Sequence, residues 1–309
     1  MSTLTAYRQQ AAAEAGRFVT GTSTTGGTTL NMVVTELISS LSQDDLYADW
    51  WTYLPAASAG DKVRVIKTYT ASTGTLTHDR VFSGATVPNS KTFELHGMVR
   101  PFADGLTETM DWTTLINDSL KRCFVEVEFT HTPVALQTRH DLTTLNTWLT
   151  EPSWIREVGV LVSGEDRDEV DPYSRRIRGK AEKLSNLVYI QHRGRTFNSN
   201  EVIYVKAIKP AYYHCAASGG AYGTQTGLAL ESDIAEPALE WVAYGALVEM
   251  ARRAGVVVAQ DSRDRIYANE KRWAQMFSYY TEKYTAGFPV LRFTERLMVG
   301  VLGGYSRWR

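Results

Sequence analysis

The stretch Pro237-Ala-Leu-Glu-Trp-Val-Ala-Tyr-Gly-Ala-Leu-Val-Glu-Met-Ala-Arg-Arg-Ala-Gly255 places apolar residues at Leu239, Val242, Ala246 and Met250. Steps of three and four put them on one helical face. Pro237 suits a first turn, where its missing N–H would have no intrahelical partner anyway, and Gly255 suits the residue that ends a helix. A second helix is predicted from about Asp261 to Tyr284, with Ile266, Trp273, Phe277, Tyr280 and Tyr284 recurring on one stripe. A short connection makes the two an antiparallel pair. Leu239, Val242, Met250, Ile266, Trp273, Phe277, Tyr280 and Tyr284 are therefore the expected packing residues.

Working back toward the N-terminus, Ala6–Phe18 has helix-forming composition and breaks into the Gly/Thr loop Gly21-Thr-Ser-Thr-Thr-Gly-Gly-Thr-Thr29. Leu30, Val33, Val34, Leu37, Ile38 and Leu41 then predict a further helix. From Gly60 the period becomes two. Val63–Tyr69 and Leu76–Phe82 read as a hairpin turning at Gly74, with a third strand at Phe93–Val99. Asp111 or Thr113 caps a helix running to about Arg122, and Phe124–Phe129 alternates as a strand. Between Leu142 and Tyr213, the short β-forming runs Ile155–Val162, Ile177–Leu184, Leu187–Gln191 and Val202–Ile208 predict a small sandwich or barrel.

The predicted fold class is α+β: an antiparallel helical bundle with a β-hairpin region, an inserted small β-sandwich or barrel, and an extended C-terminal arm. The divisions are 1–140 (N-terminal helices and hairpin), 141–215 (inserted β-domain), 216–231 (linker), 232–287 (helix pair packing with the N-terminal helices) and 288–309 (arm).

Composition narrows the function. Hydrophobic residues make up 43% of 309, enough for a packed core. The balance of 33 Lys plus Arg against 34 Asp plus Glu argues against a surface that grips nucleic acid all round. Cys123 and Cys215 lie far apart and cannot begin a zinc site, and they fit a reducing cytosol. With no leader or apolar span of membrane length, the chain is expected to be soluble and made inside a cell.

Chemistry-bearing motifs are not found. Gly21-Thr-Ser23 lacks hydrolase-elbow spacing, and Gly219-Gly-Ala-Tyr-Gly223 lacks the Lys-Ser/Thr of a phosphate loop. His78, His96, His131, His140, His192 and His214 show no metal-ligand spacing. The acidic run Glu165–Asp171 lacks a calcium-loop pattern. Arg175, Arg176, Arg178 and Lys180 read either as an acidic-partner contact or as a charged edge strand. No catalytic residue, metal or cofactor is expected.

The arm is the clearest functional signal. Tails without a docking surface are poor in large apolar residues, yet this one holds Phe288, Leu291, Phe293, Leu297, Met298, Leu302, Tyr305 and Trp308. It also carries Arg292, Arg296, Arg307 and Arg309 against one Glu. Tyr, Trp and Arg anchor interfaces, so the arm is expected to dock on a partner.

The order of these parts resembles the head-to-tail adaptor (neck, or connector) proteins of tailed bacteriophages. The resemblance rests on the early helix with Thr22-Ser-Thr-Thr-Gly-Gly-Thr28, on Arg64-Val-Ile-Lys-Thr-Tyr-Thr-Ala-Ser-Thr-Gly74 with its hairpin, and on Phe93-Glu-Leu. It continues through Ile116-Asn-Asp-Ser-Leu120, the pair ending Tyr279-Tyr-Thr-Glu-Lys-Tyr284, and the arm. It covers most of the chain, with the middle β-section as an insertion. It implies a virion structural protein at the neck: a homo-oligomeric ring of about twelve copies beneath the portal protein. In such a ring helices line a DNA channel without sequence readout, β-domains face a tail or stopper/nozzle protein, and the arm reaches into the portal. The docking residues would be Phe288, Leu291, Arg292, Phe293, Arg296, Leu297, Tyr305, Arg307, Trp308 and Arg309. Two other readings stay open: another phage tail, baseplate or fibre-attachment component, and a carbohydrate-binding or carbohydrate-active protein using the tryptophans and the Glu126/Glu128 pair.

Overall fold

The computed structural model describes residues 1–38, 43–55, 57, 62–82, 88–102, 110–144, 146–162, 164–167, 169–175, 179–192, 196–257, 260–286 and 297–299. Over the described residues the chain is mixed α/β, with four α-helices and several antiparallel sheets, in two compact units: Met1–Arg122 with Cys215–Thr281, and Cys123–His214 with Glu282–Arg309.

The first unit begins with β1 (Ser2–Thr3), α1 (Leu4–Ala15), β2 (Phe18–Thr22), β3 (Asn31–Val33), β4 (Trp51–Tyr53), β5 (Val63–Thr70), β6 (Thr75–His78), β7 (Thr92–His96) and α2 (Trp112–Leu120). The second contains β8 (Phe124–His131), β9 (Arg139–Asp141), β10 (Ile155–Val162), β11 (Gly179–Leu184), β12 (Leu187–His192) and β13 (Glu201–Pro210). The chain then adds β14 (Cys215–Ala216), β15 (Ile234–Ala235), α3 (Leu239–Val257), α4 (Gln260–Thr285) and β16 (Leu297–Val299).

In the first unit β2-β7-β4-β5-β6-β3 form a six-stranded antiparallel sheet. Its core gathers Met32, Leu54, Ile66, Tyr69, Leu76, Phe82, Phe93 and Leu95. The β5–β6 hairpin turns through Gly74 at φ +64°, where a Cβ would lie 2.2 Å from the Val34 carbonyl oxygen. Thr3 caps α1 by accepting from the Ala6 N–H, and Asp111 caps α2 by accepting from the Thr114 N–H.

The helix expected over Leu30–Leu41 does not form. Asn31–Val33 pairs with Thr75–Thr77, Thr35–Leu37 is a single 3-10 turn, and Ser39–Ser42 lie outside the described residues. Met32 and Val34 are buried on one face by alternation. The run of apolar and β-branched residues satisfied a helical and a strand period at once, and the waiting edge of β6 decided between them.

α3 is buried nearly all round, whereas α1 and α2 bury one side each. Gly245 is the point of closest approach. A Cβ there would sit 2.0 Å from Ser119 Oγ on α2 and 2.9 Å from a ring carbon of Phe277 on α4. Ser119 donates to the Val242 carbonyl at 2.9 Å, a bond that needs this approach.

The second unit holds two sheets, β10-β13-β8 and β16-β11-β12-β9. Val158, Val160, Ala181, Val188, Ile190, Ile203, Val205 and Ala207 from both form one hydrophobic cluster with Leu142, Trp148 and Phe197. The sequence division at 140 leaves Phe124–His131 with the N-terminal part. In the structure this strand pairs rung by rung with β13, from His131↔Ile203 to Phe124↔Pro210, and so belongs to the second unit.

Candidate functional site

Two features stand out among the described residues, a helix pair and a buried ionic network. The first is the helix pair. Val242, Met250, Ile266, Trp273 and Phe277 are buried, and Leu239, Tyr280 and Tyr284 are half-buried. The Trp241 indole N–H donates to Thr281 Oγ1 at 2.9 Å, and the Tyr244 ring stacks on Tyr280 with centroids 5.7 Å apart. The Arg122 guanidinium lies 4.7 Å from the Phe277 ring centroid and donates to Glu249 at 2.6 Å. Arg265 donates to the Gly16 carbonyl at 3.1 Å, tying α4 to the end of α1.

The two helices differ in kind. α4 spans 26 residues, about 39 Å at the usual rise. Among its described side chains only Ile266, Trp273 and Phe277 are buried. Tyr267 is 50% exposed and Tyr279 57%, and Asp264, Glu270, Lys271 and Arg272 are among the other exposed residues of the helix. An amphipathic helix normally covers a wider stripe. Tyr267 and Tyr279 are thus two aromatic rings left in water on a helix carrying charges of both signs.

The second feature is a buried ionic knot in the first unit. Arg8 on α1 donates through Nε and Nη2 to the two carboxylate oxygens of Glu94 on β7, each at 2.9 Å. His96 Nε2 lies 2.9 Å from the same carboxylate, and Gln9 donates to it at 2.8 Å. Arg8 also lies 4.4 Å from the Tyr53 ring centroid and 5.2 Å from that of Phe102. Burial alone would raise the Glu94 pKa, but hydrogen bonds from His96 and Arg8 and the Arg8 charge outweigh it and hold the group at about 2. The Tyr53 hydroxyl and Lys62 both bond to Glu231, which joins this network to the chain leading into α3. No sequence spacing announces the knot. Glu94 and His96 share one face of a strand, but their partner lies 86 residues away.

Four of the histidines, His78, His96, His140 and His192, are buried. His78 Nδ1 is 3.0 Å from the Leu30 carbonyl, which can only accept, so Nδ1 carries the proton and Nε2 accepts from Thr52 at 2.9 Å. Burial lowers its pKa to about 4. His140 stacks on His192 in the second unit with centroids 5.2 Å apart and Nε2 atoms 3.2 Å apart. Burial, together with His192 and His131, lowers the His140 pKa to about 4. Among the described residues no group of three or more His, Cys, Asp or Glu is arranged to hold a metal ion. No described helix is long and apolar enough to cross a membrane.

The basic run on the second unit is matched by acids where it is described. Arg175 makes a bidentate contact with Glu165 at 2.6 and 2.7 Å, and Lys180 pairs with Glu182 at 2.7 Å; Arg176 and Arg178 lie outside the described residues. Glu126 and Glu128 both pair with Lys206, at 2.7 and 3.8 Å, and Glu128 also with Arg167. None of the seven described tryptophans is exposed.

Of the arm, Phe288, Leu291, Arg292, Phe293, Arg296, Tyr305, Arg307, Trp308 and Arg309 lie outside the described residues. Leu297 falls in β16, which pairs in parallel with β11 as Gly179↔Leu297, Lys180↔Met298 and Ala181↔Val299. No residue pattern predicted that pairing. No family model, curated protein or solved structure matches the chain.

Proposed function

We propose that this chain is a structural subunit of a phage virion, a head-to-tail adaptor that assembles as a homo-oligomeric ring between portal and tail. The observation that carries the reading is the contrast between α3 and α4. α3 is a core helix, while α4 buries three described side chains and presents Tyr267, Tyr279 and charges of both signs before the chain runs into the arm. A helix so placed meets neighbours through a mixed face. Its near-neutral charge, five Lys or Arg against four Asp or Glu over Gln260–Thr285, suits a channel wall along which DNA slides without base readout.

In this reading the arm attaches the ring to the portal. Phe288, Leu291, Phe293, Tyr305 and Trp308 supply burial, and Arg292, Arg296, Arg307 and Arg309 bond acidic or carbonyl-rich crevices. The second unit, with its outward charge ladder, meets a tail or stopper protein. Deleting residues 288–309 tests the docking. The truncated chain should keep the melting transition of its first unit and lose attachment to portal-bearing heads; normal attachment without the arm would refute it.

A further inference from the structure

α2 with its closing turn and α3 carry the same short pattern, an acid followed three and four residues on by two cations. The two copies are Asp118-Ser-Leu-Lys121-Arg122 and Glu249-Met-Ala-Arg252-Arg253. Offsets of three and four keep such side chains on one side of a helix. The packing of α2 on α3 brings the two patterns together reciprocally. Each carboxylate is bonded by the cation three residues on, Lys121 to Asp118 at 2.7 Å and Arg252 to Glu249 at 3.0 Å. Each is also bonded across the interface by the other pattern's last arginine, Arg122 to Glu249 at 2.6 Å and Arg253 to Asp118. Two acids thus hold four cations, a net charge of +2. The acids lie underneath. The Asp118 and Glu249 side chains are 17% and 8% exposed, against 51%, 40%, 65% and 41% for Lys121, Arg122, Arg252 and Arg253. The cross-helix arginines already neutralise the acids, so Lys121 and Arg252 add charge that the pairing does not need. Arg252 and Arg253 also precede the last turn of α3, so compensation of the helix dipole does not call for them.

We propose that this four-cation surface on α2 and α3 binds the phosphate backbone of double-stranded DNA without reading its bases. The inference rests on the reading above, in which DNA passes this chain. Phosphodiesters form dense rows of negative charge, and a guanidinium bonds phosphate through paired N–H groups. Each of Arg122, Arg252 and Arg253 reaches its carboxylate through one nitrogen, and a guanidinium carries five N–H donors. The Phe277 ring centroid lies 4.7 Å from the Arg122 guanidinium, and that ring is 8% exposed. The surface therefore presents charge over a buried ring, in place of the aromatic anchor that a protein partner would need.

The test is fluorescence anisotropy of a short labelled DNA duplex titrated with the full-length chain from about 50 to 200 mM salt. Lys121→Gln/Arg252→Gln removes the surplus charge and leaves the Arg122–Glu249 and Arg253–Asp118 pairs in place, so the melting temperature should hold. Affinity for the duplex should fall by about tenfold or more at the lowest salt. The slope of log K against log salt should flatten by about 1.8, the value for two phosphate contacts. Lys67→Gln/Arg80→Gln makes the same charge change at exposed residues elsewhere on the first unit and should bind as the wild type does. Wild-type affinity in the first variant, or an equal loss in the second, overturns the site. Tighter binding of polyglutamate than of the duplex overturns the choice of partner. Closed rings on the portal by electron microscopy, with no duplex binding, refute this inference and leave the ring reading intact. Duplex binding that responds to the variants as described, in a chain that forms no ring, does the reverse.

Discussion

Arg8 and Glu94 form a bidentate ion pair with both side chains out of water, the Arg8 side chain 0% and the Glu94 side chain 1% exposed. The pair clamps α1 onto the six-stranded sheet. Removing one partner leaves a buried charge without its counterion, which costs about 3–5 kcal/mol. Glu94→Gln and Arg8→Met should each lower the first unit's unfolding free energy, measured by urea denaturation, by that amount. The double variant Arg8→Met/Glu94→Leu should recover a large part of the loss. Additive losses in the double variant would show that the two groups do not act as a pair.

Gly245 supports a prediction whose sign is diagnostic. In an exposed helix interior Gly→Ala stabilises by about 1 kcal/mol. Here the new methyl would meet Ser119 Oγ at 2.0 Å, so Gly245→Ala should destabilise, by about 1–3 kcal/mol. Adding Ser119→Gly should restore part of it. A raised melting temperature in Gly245→Ala would mean that α2 and α3 do not meet at this residue.

On α4, Trp273→Ala and Phe277→Ala each empty a buried site and should cost about 3–5 kcal/mol. Tyr267→Ala and Tyr279→Ala, on the exposed face, should leave the melting temperature of the free chain within a degree or two and weaken assembly. Thermal melts beside sedimentation of the same four variants separate the two faces. Equal melting losses at all four positions would contradict the division.

Acid should weaken both units. His78 and His140 are held to about 4 in the folded chain, against about 6.5 when unfolded. The unfolded state therefore takes up protons first. The stability each neutral histidine carries is intact above pH 6.5 and lost as the pH falls toward 4, at up to about 1.4 kcal/mol per pH unit. Glu94, held at about 2, adds a further loss as the pH falls below its unfolded value of 4.5. Melting scans from pH 7 to 4 should show this slope. His140→Gln should flatten it for the second unit, and an unchanged slope would mean that His140 does not titrate as described.

Much of the architecture was legible because burial writes a period into the chain. α3 and α4, the β5–β6 hairpin with Gly74, and the alternation of β8 all carry one. Leu30–Leu41 misled because its apolar spacing fits two periods, and only the partner strand β6 chooses between them. The Arg8–Glu94–His96 knot was illegible for another reason: a charged strand residue next to apolar ones looks solvent-facing until a helix from far along the chain covers it. The β16–β11 pairing is equally long-range. The arm's apolar content is the ground for expecting it to dock, and it carries no mark of which surface would receive it.

The ring is the central claim, and electron microscopy of the purified chain mixed with a portal assembly tests it most directly. The account predicts closed rings of about twelve copies seated on the portal and lost when residues 288–309 are removed. Single chains, or a trimeric or hexameric particle that ignores the portal, would contradict it.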